Sequence, residues 1–161
     1  MGTSLRTIVE TMGGGAPPGR QIKAVQTGGP SGGCVPAAAL DTPVDYASLQ
    51  ALGTIMGSGG MVVLDDTTNM VDLAAFFVAF SREESCGKCI PCRSGTVQLE
   101  LLLRKLLAGH GSPADLVQLE SLCQIVKDAS LCGLGQSAPK PVLSTLRHFR
   151  SDYLALLEEQ P

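Results

Sequence analysis

Three cysteines occupy one short run, Cys86-Gly87-Lys88-Cys89-Ile90-Pro91-Cys92, and a fourth, Cys132, stands alone in Ser130-Leu131-Cys132-Gly133-Leu134-Gly135-Gln136. Two residues between successive cysteines let one loop wrap a cubane iron–sulfur cluster and present three thiolates to three irons. The remote fourth closes the corner that the loop cannot reach. Zinc also accepts four thiolates, but its structural sites usually come as two separated Cys-x-x-Cys knuckles with two ligands each. The partition here is three plus one, which favours a cluster over a single ion. A disulfide scaffold fits less well. Six cysteines in 161 residues fall below the density of a stapled secreted domain, and the N-terminus lacks the basic stretch and apolar run of a secretory signal. A reducing, cytoplasmic compartment is the expectation, and it suits thiolate ligands.

The other two cysteines have plainer readings. Cys123 falls in a stretch where Leu116, Leu119, Leu122, Cys123 and Val126 recur at helical spacing, so it reads as a small hydrophobe in a core. Cys34 closes the loop Gly28-Gly29-Pro30-Ser31-Gly32-Gly33 and reads as either buried or reactive. That loop has the look of a phosphate cradle but carries no Lys-Ser/Thr after its glycines, and it misses the Gly-x-Gly-x-x-Gly spacing, so it is read as a turn. His110 and His148 are single residues with no partner set, and each reads as a surface or cap histidine. No nucleophile, base and orienting group assemble from this sequence, so catalytic residues are not assigned and the chain alone is not expected to be an enzyme.

The elements that must position the cysteines divide unevenly along the chain. Apolar residues make up 44% and aromatic ones 4%, which describes an aliphatic core. No apolar run approaches the ~20 residues of a membrane helix, so direct membrane insertion is not expected. A net charge of −3 argues against nucleic acid, which is met by a basic face. Residues 1–68 hold most of the glycine and proline turn signals, and residues 69–161 hold the helical patterns. In the first part Ser4 is a plausible cap for a short helix carrying Leu5, Ile8 and Val9. Ile22 to Thr27 alternates as a half-buried strand, and Gly60 to Asp65 reads as a buried one. The second part contains four helical stretches: Asn69 to Phe80; Val97 to Leu107 with Leu99, Leu102, Leu103 and Leu106 on one face; Asp115 to Lys127 capped by Ser112 with Pro113 in its first turn; and Val142 to Glu158 with Leu143, Leu146, Phe149, Tyr153, Leu156 and Leu157 inward. The expected fold is α+β: a small domain at 1–68, then a four-helix bundle at 69–161.

In an up-and-down bundle the connection carrying Cys86 to Cys92 and the one carrying Cys132 lie at the same end. One end can thus hold all four ligands. Gly87, Gly95, Gly133 and Gly135 suit a backbone passing close to an inorganic core. Lys88 and Arg93 flank the ligands; they read equally as positive charge that favours a reduced cluster and as solvated surface cations.

The sequence resembles a known family. Glu84 to Thr96, followed by Ser130 to Gln136 and Pro141 to Arg150, looks like the C-terminal half of the NADH-binding flavoprotein subunit of respiratory complex I. It is closer still to the homologous diaphorase subunits of NAD-linked and electron-bifurcating hydrogenases and formate dehydrogenases. Lys23 to Pro36 and Gly57 to Val63 resemble the SLBB domain, a β-grasp module that precedes the cluster domain in that family. The resemblance implies [4Fe-4S] ligation by Cys86, Cys89, Cys92 and Cys132. It also implies partners that include a flavin- and NADH-binding domain or chain and a further iron–sulfur subunit. The family's large FMN and NADH domain has no counterpart in these residues, so FMN and NAD binding by this chain alone is not expected. The leading expectation is an electron-transfer module of a multisubunit NAD(P)-linked oxidoreductase. The rival is a structural or docking subunit whose metal or cluster has no redox role.

Overall fold

The structure is a computed structural model that describes residues 1–158. The chain divides into two compact units, Met1–Thr68 and a second that begins at Asn69. The architecture is α+β, with a small sheet in the first unit and helices making up the second.

In the first unit, strands β1 (Ile22–Thr27), β2 (Gly33–Pro36) and β3 (Met61–Asp65) form an antiparallel sheet in the order β2-β1-β3. Val25 sits opposite Val35 on one side and Val63 on the other. The expected burial of the two strands is reversed. As the central strand, β1 is flanked on both sides and buries Ala24, Val25, Gln26 and Thr27. As an edge strand, β3 leaves Val62 50% and Val63 38% exposed. A continuous apolar run does not distinguish a covered strand from an edge. The core is Leu5, Val9, Val25, Val35, Leu40, Val44 and Leu49. Ser4 does meet the start of the N-terminal helical segment, its Oγ accepting from Thr7 N–H at 3.2 Å, but the segment Thr7–Met12 is wound as a π-helix. Helix α1 (Tyr46–Ala51) starts at Asp45, whose carboxylate accepts from Ser48 N–H at 2.7 Å.

The loop between β1 and β2 is a packed turn. Gly28 has φ +78°, and a Cβ there would fall 2.4 Å from Ile55 Cγ1; a Cβ at Gly32 would fall 1.7 Å from Thr27 O. Backbone lies on backbone, as only glycine allows. Thr54, fully buried, ties the turn together by hydrogen bonds to Thr27 Oγ1 and from Gly33 N–H, each at 2.8 Å.

The second unit contains α2 (Met70–Glu83), α3 (Ile90–Leu107), α4 (Pro113–Ala129), α5 (Gly133–Ser137), α6 (Lys140–His148) and α7 (Arg150–Glu158). Helices α2, α3, α4 and α6 pack in a ring, each against the next. Their apolar stripes meet in a core that includes Val78, Leu99, Leu103, Leu119, Val126 and Val142. Asn69 caps α2 through Val71 and Asp72 N–H groups, and Ser112 and Asp115 form a reciprocal capping box on α4. The stretch expected as one final helix is two. Phe149, at φ −133° and ψ 39°, breaks it, and Tyr153 folds back to put its hydroxyl 2.7 Å from Thr145 Oγ1. The short α5 is an additional element between α4 and α6.

Candidate metal centre

Helix α3 begins inside the cysteine run rather than after it. Cys89 is its N-cap residue, Pro91 lies in its first turn where no N–H bond is lost, and Cys92 follows. Cys132 likewise stands at the start of α5. Cys86 and Cys132 are exposed, Cys89 is half-buried and Cys92 is buried. Gly87, at φ +74°, turns the loop between Cys86 and Cys89.

The two cysteine segments meet at one end of the bundle. The Cys89 sulfur receives backbone hydrogen bonds from Leu131 and then Cys92, with the Ser130 hydroxyl turned towards it as the weakest contributor and short of a full hydrogen bond, and these hold its pKa below the ordinary thiol value. A negative sulfur beside N–H groups at the start of an 18-residue helix also gains from the helix dipole. On the far side Gly135 is wedged between segments: a Cβ there would fall 2.6 Å from Ser130 Cβ and 3.0 Å from Cys92 Cβ. Glycine is what lets α5 approach α3 at this point.

Two further contacts shape the loop. Ser85 Oγ lies 3.2 Å from Cys92 Sγ and accepts from Gly87 N–H at 3.3 Å. Arg93 donates to Gly87 O at 3.0 Å, so its guanidinium is folded onto the loop. The entry to the loop is anchored by Arg82, which reaches the buried Glu100 at 2.7 Å while Arg104 holds the same carboxylate at 2.7 Å. Ser85, Ser130 and the Arg82–Glu100 pair are not anticipated from the sequence. Nearness to a cysteine is the single sequence signal for the serines, and none marks the pair, whose members are 18 positions apart on two helices.

The remaining residues weighed from sequence lie elsewhere. Cys34 is buried within β2, and Cys123 is buried in the bundle core. Exposed His110 follows the far end of α3, whose 18 residues span about 27 Å, and His148 closes α6. A shallow concavity lined by Glu120, Gln124 and Arg147 contains none of the cysteines, and a cluster held by loop thiolates needs no such pocket. Among the described residues no three Cys, His, Asp or Glu side chains gather tightly enough to form a ready single-ion site. The fit of this end to a metal group therefore rests on donor chemistry: four thiols on two converging segments, backbone N–H groups aimed at sulfur, and glycine where backbone must pass closely. That donor set fits an iron–sulfur cluster.

Residues 72–156, more than half of the chain, match the NADH-ubiquinone oxidoreductase-F iron-sulfur binding region. The chain belongs to that family. The family implies a [4Fe-4S] cluster. Similar proteins include the NADP-reducing hydrogenase subunit HndC of Solidesulfovibrio fructosivorans, 50% identical over 99% of this chain and 33% of the relative. An NADH-quinone oxidoreductase subunit of Rhizobium meliloti is 44% identical over 99% of this chain and 38% of the relative. A crystal structure of an NAD+-reducing [NiFe]-hydrogenase in the H2-reduced state superposes with a TM-score of 0.84 at 32% identity, covering 99% of this chain and 26% of that one. The chain thus spans about a third of the length of the curated relatives it matches. Among the described residues no helix is long and apolar enough to cross a membrane.

Proposed function

We propose that this chain is an electron-relay module of a multisubunit NAD(P)-linked oxidoreductase of the hydrogenase, formate dehydrogenase or complex I type, with one [4Fe-4S] cluster held by Cys86, Cys89, Cys92 and Cys132. The observation that carries this reading is the meeting of the Cys86–Cys92 loop with the Cys132 turn, where Cys89 contacts Leu131 and Cys92 abuts Gly135, in a member of this family. When bound, the cluster supplies a store for one electron at a time. The chain's own residues then have three tasks. The four thiolates hold the group, the N–H groups of Leu131 and Cys92 offset negative charge at Cys89, and the Arg82–Glu100 pair fixes the loop's entry. A hydride must be split into single electrons by a flavin, so the partners are a flavin- and NADH-binding domain or chain and a further iron–sulfur subunit. The first unit is the SLBB-like module of this assembly, and the compartment is cytoplasmic and reducing.

The test is anaerobic. The purified chain should carry about four irons and four sulfides, and dithionite should bleach its visible absorbance and produce a low-temperature EPR signal. NADH alone should leave the isolated chain oxidised, and adding a flavoprotein partner should allow reduction. One zinc per chain with no iron would sink the cluster assignment. A cluster that dithionite cannot reduce would favour the docking role instead.

A further inference from the structure

Two hydroxyls stand among the thiolates of the proposed site. Ser85 Oγ is 3.2 Å from Cys92 Sγ, and it accepts the Gly87 N–H at 3.3 Å. With that N–H on its lone pair, the hydroxyl is free to direct its proton at sulfur. Ser130, two residues before Cys132, is 4% exposed, and its Oγ makes no hydrogen bond of full geometry with any of the described residues. A buried hydroxyl left in that state costs about 1–3 kcal/mol. Such a group in a folded protein calls for an acceptor, and its surroundings point to sulfur. A Cβ at Gly135 would lie 2.5 Å from Ser130 Oγ and 3.0 Å from Cys92 Cβ, and the same hydroxyl faces the Cys89 sulfur beside Leu131. A neutral thiol is a weak acceptor that does not orient the hydroxyl, whereas a thiolate is a strong one.

We propose that Ser85 and Ser130 are hydroxyl donors to the ligand sulfurs, Ser85 to Cys92 and Ser130 to Cys89, and that together they raise the reduction potential of the centre. The inference rests on the four-cysteine reading above. Gaining an electron increases negative charge on the ligand sulfurs, so a donated O–H bond stabilises the reduced state more than the oxidised one. No covalent bond forms or breaks at either serine. Each proton stays on its oxygen, and the single electron comes from the flavin side of the relay or from an added reductant.

The experiment is an EPR-monitored redox titration of the cluster-loaded chain beside Ser85→Ala, Ser130→Ala and the double variant, with Ser85→Thr as the hydroxyl-retaining control. Iron per chain is measured first. Each alanine is expected to change the reduced-to-oxidised ratio at fixed potential by about three- to tenfold towards oxidised, where tenfold corresponds to about 59 mV for one electron. The double variant should move further, and Ser85→Thr should stay near the parent. An unchanged midpoint in an iron-loaded double variant overturns the proposal, as does an equal fall in Ser85→Thr. Should the alanine variants load poorly, pulsed EPR of the reduced parent in H2O and D2O gives a second reading. More exchangeable couplings than the Leu131 and Cys92 N–H groups account for support the proposal, and none beyond those overturns it. A parent chain without iron overturns the four-cysteine reading itself, which separates that failure from a failure of the serine assignment.

Discussion

Cysteines sit in two contrasting settings within one bundle. At the end where α3 begins, Cys89 is half-buried and meets N–H groups of Leu131 and Cys92, which favour its thiolate. In the middle of α4, Cys123 is fully buried in the aliphatic core, and its thiol is pushed up to about 12, first by burial and secondly by the charge of Glu120. Cys34 in β2 is likewise pushed up to about 12 by burial. Side-chain identity is the same in every case. What differs is whether helix starts and turns leave backbone donors facing the sulfur, or whether completed helices and strands surround it with hydrocarbon. The four proposed ligands lie in a loop or at the start of a helix, whereas Cys34 and Cys123 lie inside a completed strand and a completed helix.

The sharpest way to break that contrast is to exchange sulfur for oxygen on each side of it. Cys132→Ser should lose or degrade the cluster, so iron per chain falls to a minor fraction of the parent. Cys123→Ser should keep its iron and lose about 1–3 kcal/mol of stability from burying a hydroxyl among apolar side chains, measured by denaturant unfolding. Equal iron in both variants would mean that the fourth ligand has been chosen wrongly.

A second pair of variants tests the glycines on the same terms. Gly135→Ala would set its new methyl 2.6 Å from Ser130 Cβ and 3.0 Å from Cys92 Cβ, so iron occupancy should fall. Gly95→Ala would set one 2.3 Å from Val126 Cγ2, between α3 and α4. It should cost about 1–3 kcal/mol by overpacking while leaving iron in place. A loss of iron in the Gly95 variant alone would reverse the assignment of which glycine serves the centre.

The smallest effect lies at the opposite end of α3, away from the thiolates. Asp115 is held by Lys105 at 2.8 Å and by the Ser112 hydroxyl, which bring its pKa from the ordinary 3.8 to about 2. A depressed carboxyl pKa stabilises the folded state above the unfolded value, and the contribution disappears as pH falls from about 4 through about 2. Asp115→Asn should therefore lower the melting temperature near neutrality, with the difference from the parent shrinking across that acid window. A difference that stays constant with pH would assign the effect to the capping geometry rather than to charge.

Much of this was legible where local chemistry decides the structure. Ser112, Pro113 and Asp115 announce the start of α4, and Leu99, Leu102, Leu103 and Leu106 announce the buried face of α3. The proposed ligand run, Cys86 to Cys92, is equally local, and iron analysis of the cysteine variants tests it. What escaped is set by distant contacts. No glycine or proline marks the break at Phe149, and the apolar stripe runs through it. Strand β2 is four residues long and follows a glycine turn, too short for its alternation to register. Val62 and Val63 have the composition of a covered strand, but their exposure depends on which strands pair beside them. Ser130 looks like an ordinary turn residue until its hydroxyl is found buried and packed against Gly135 beside Cys92.

The break at Phe149 also bears on how much chain entropy each contact costs to form. The hydroxyl pair of Thr145 and Tyr153 closes a corner only eight residues long, and loops of about ten residues close in roughly 10–100 ns. The pairing of β1 with β3 must instead bring its ends together across the whole length of β2 and α1, at a larger loss of chain entropy. The α6–α7 corner is thus a contact that costs little chain entropy to close, and the β1–β3 ladder is a non-local one.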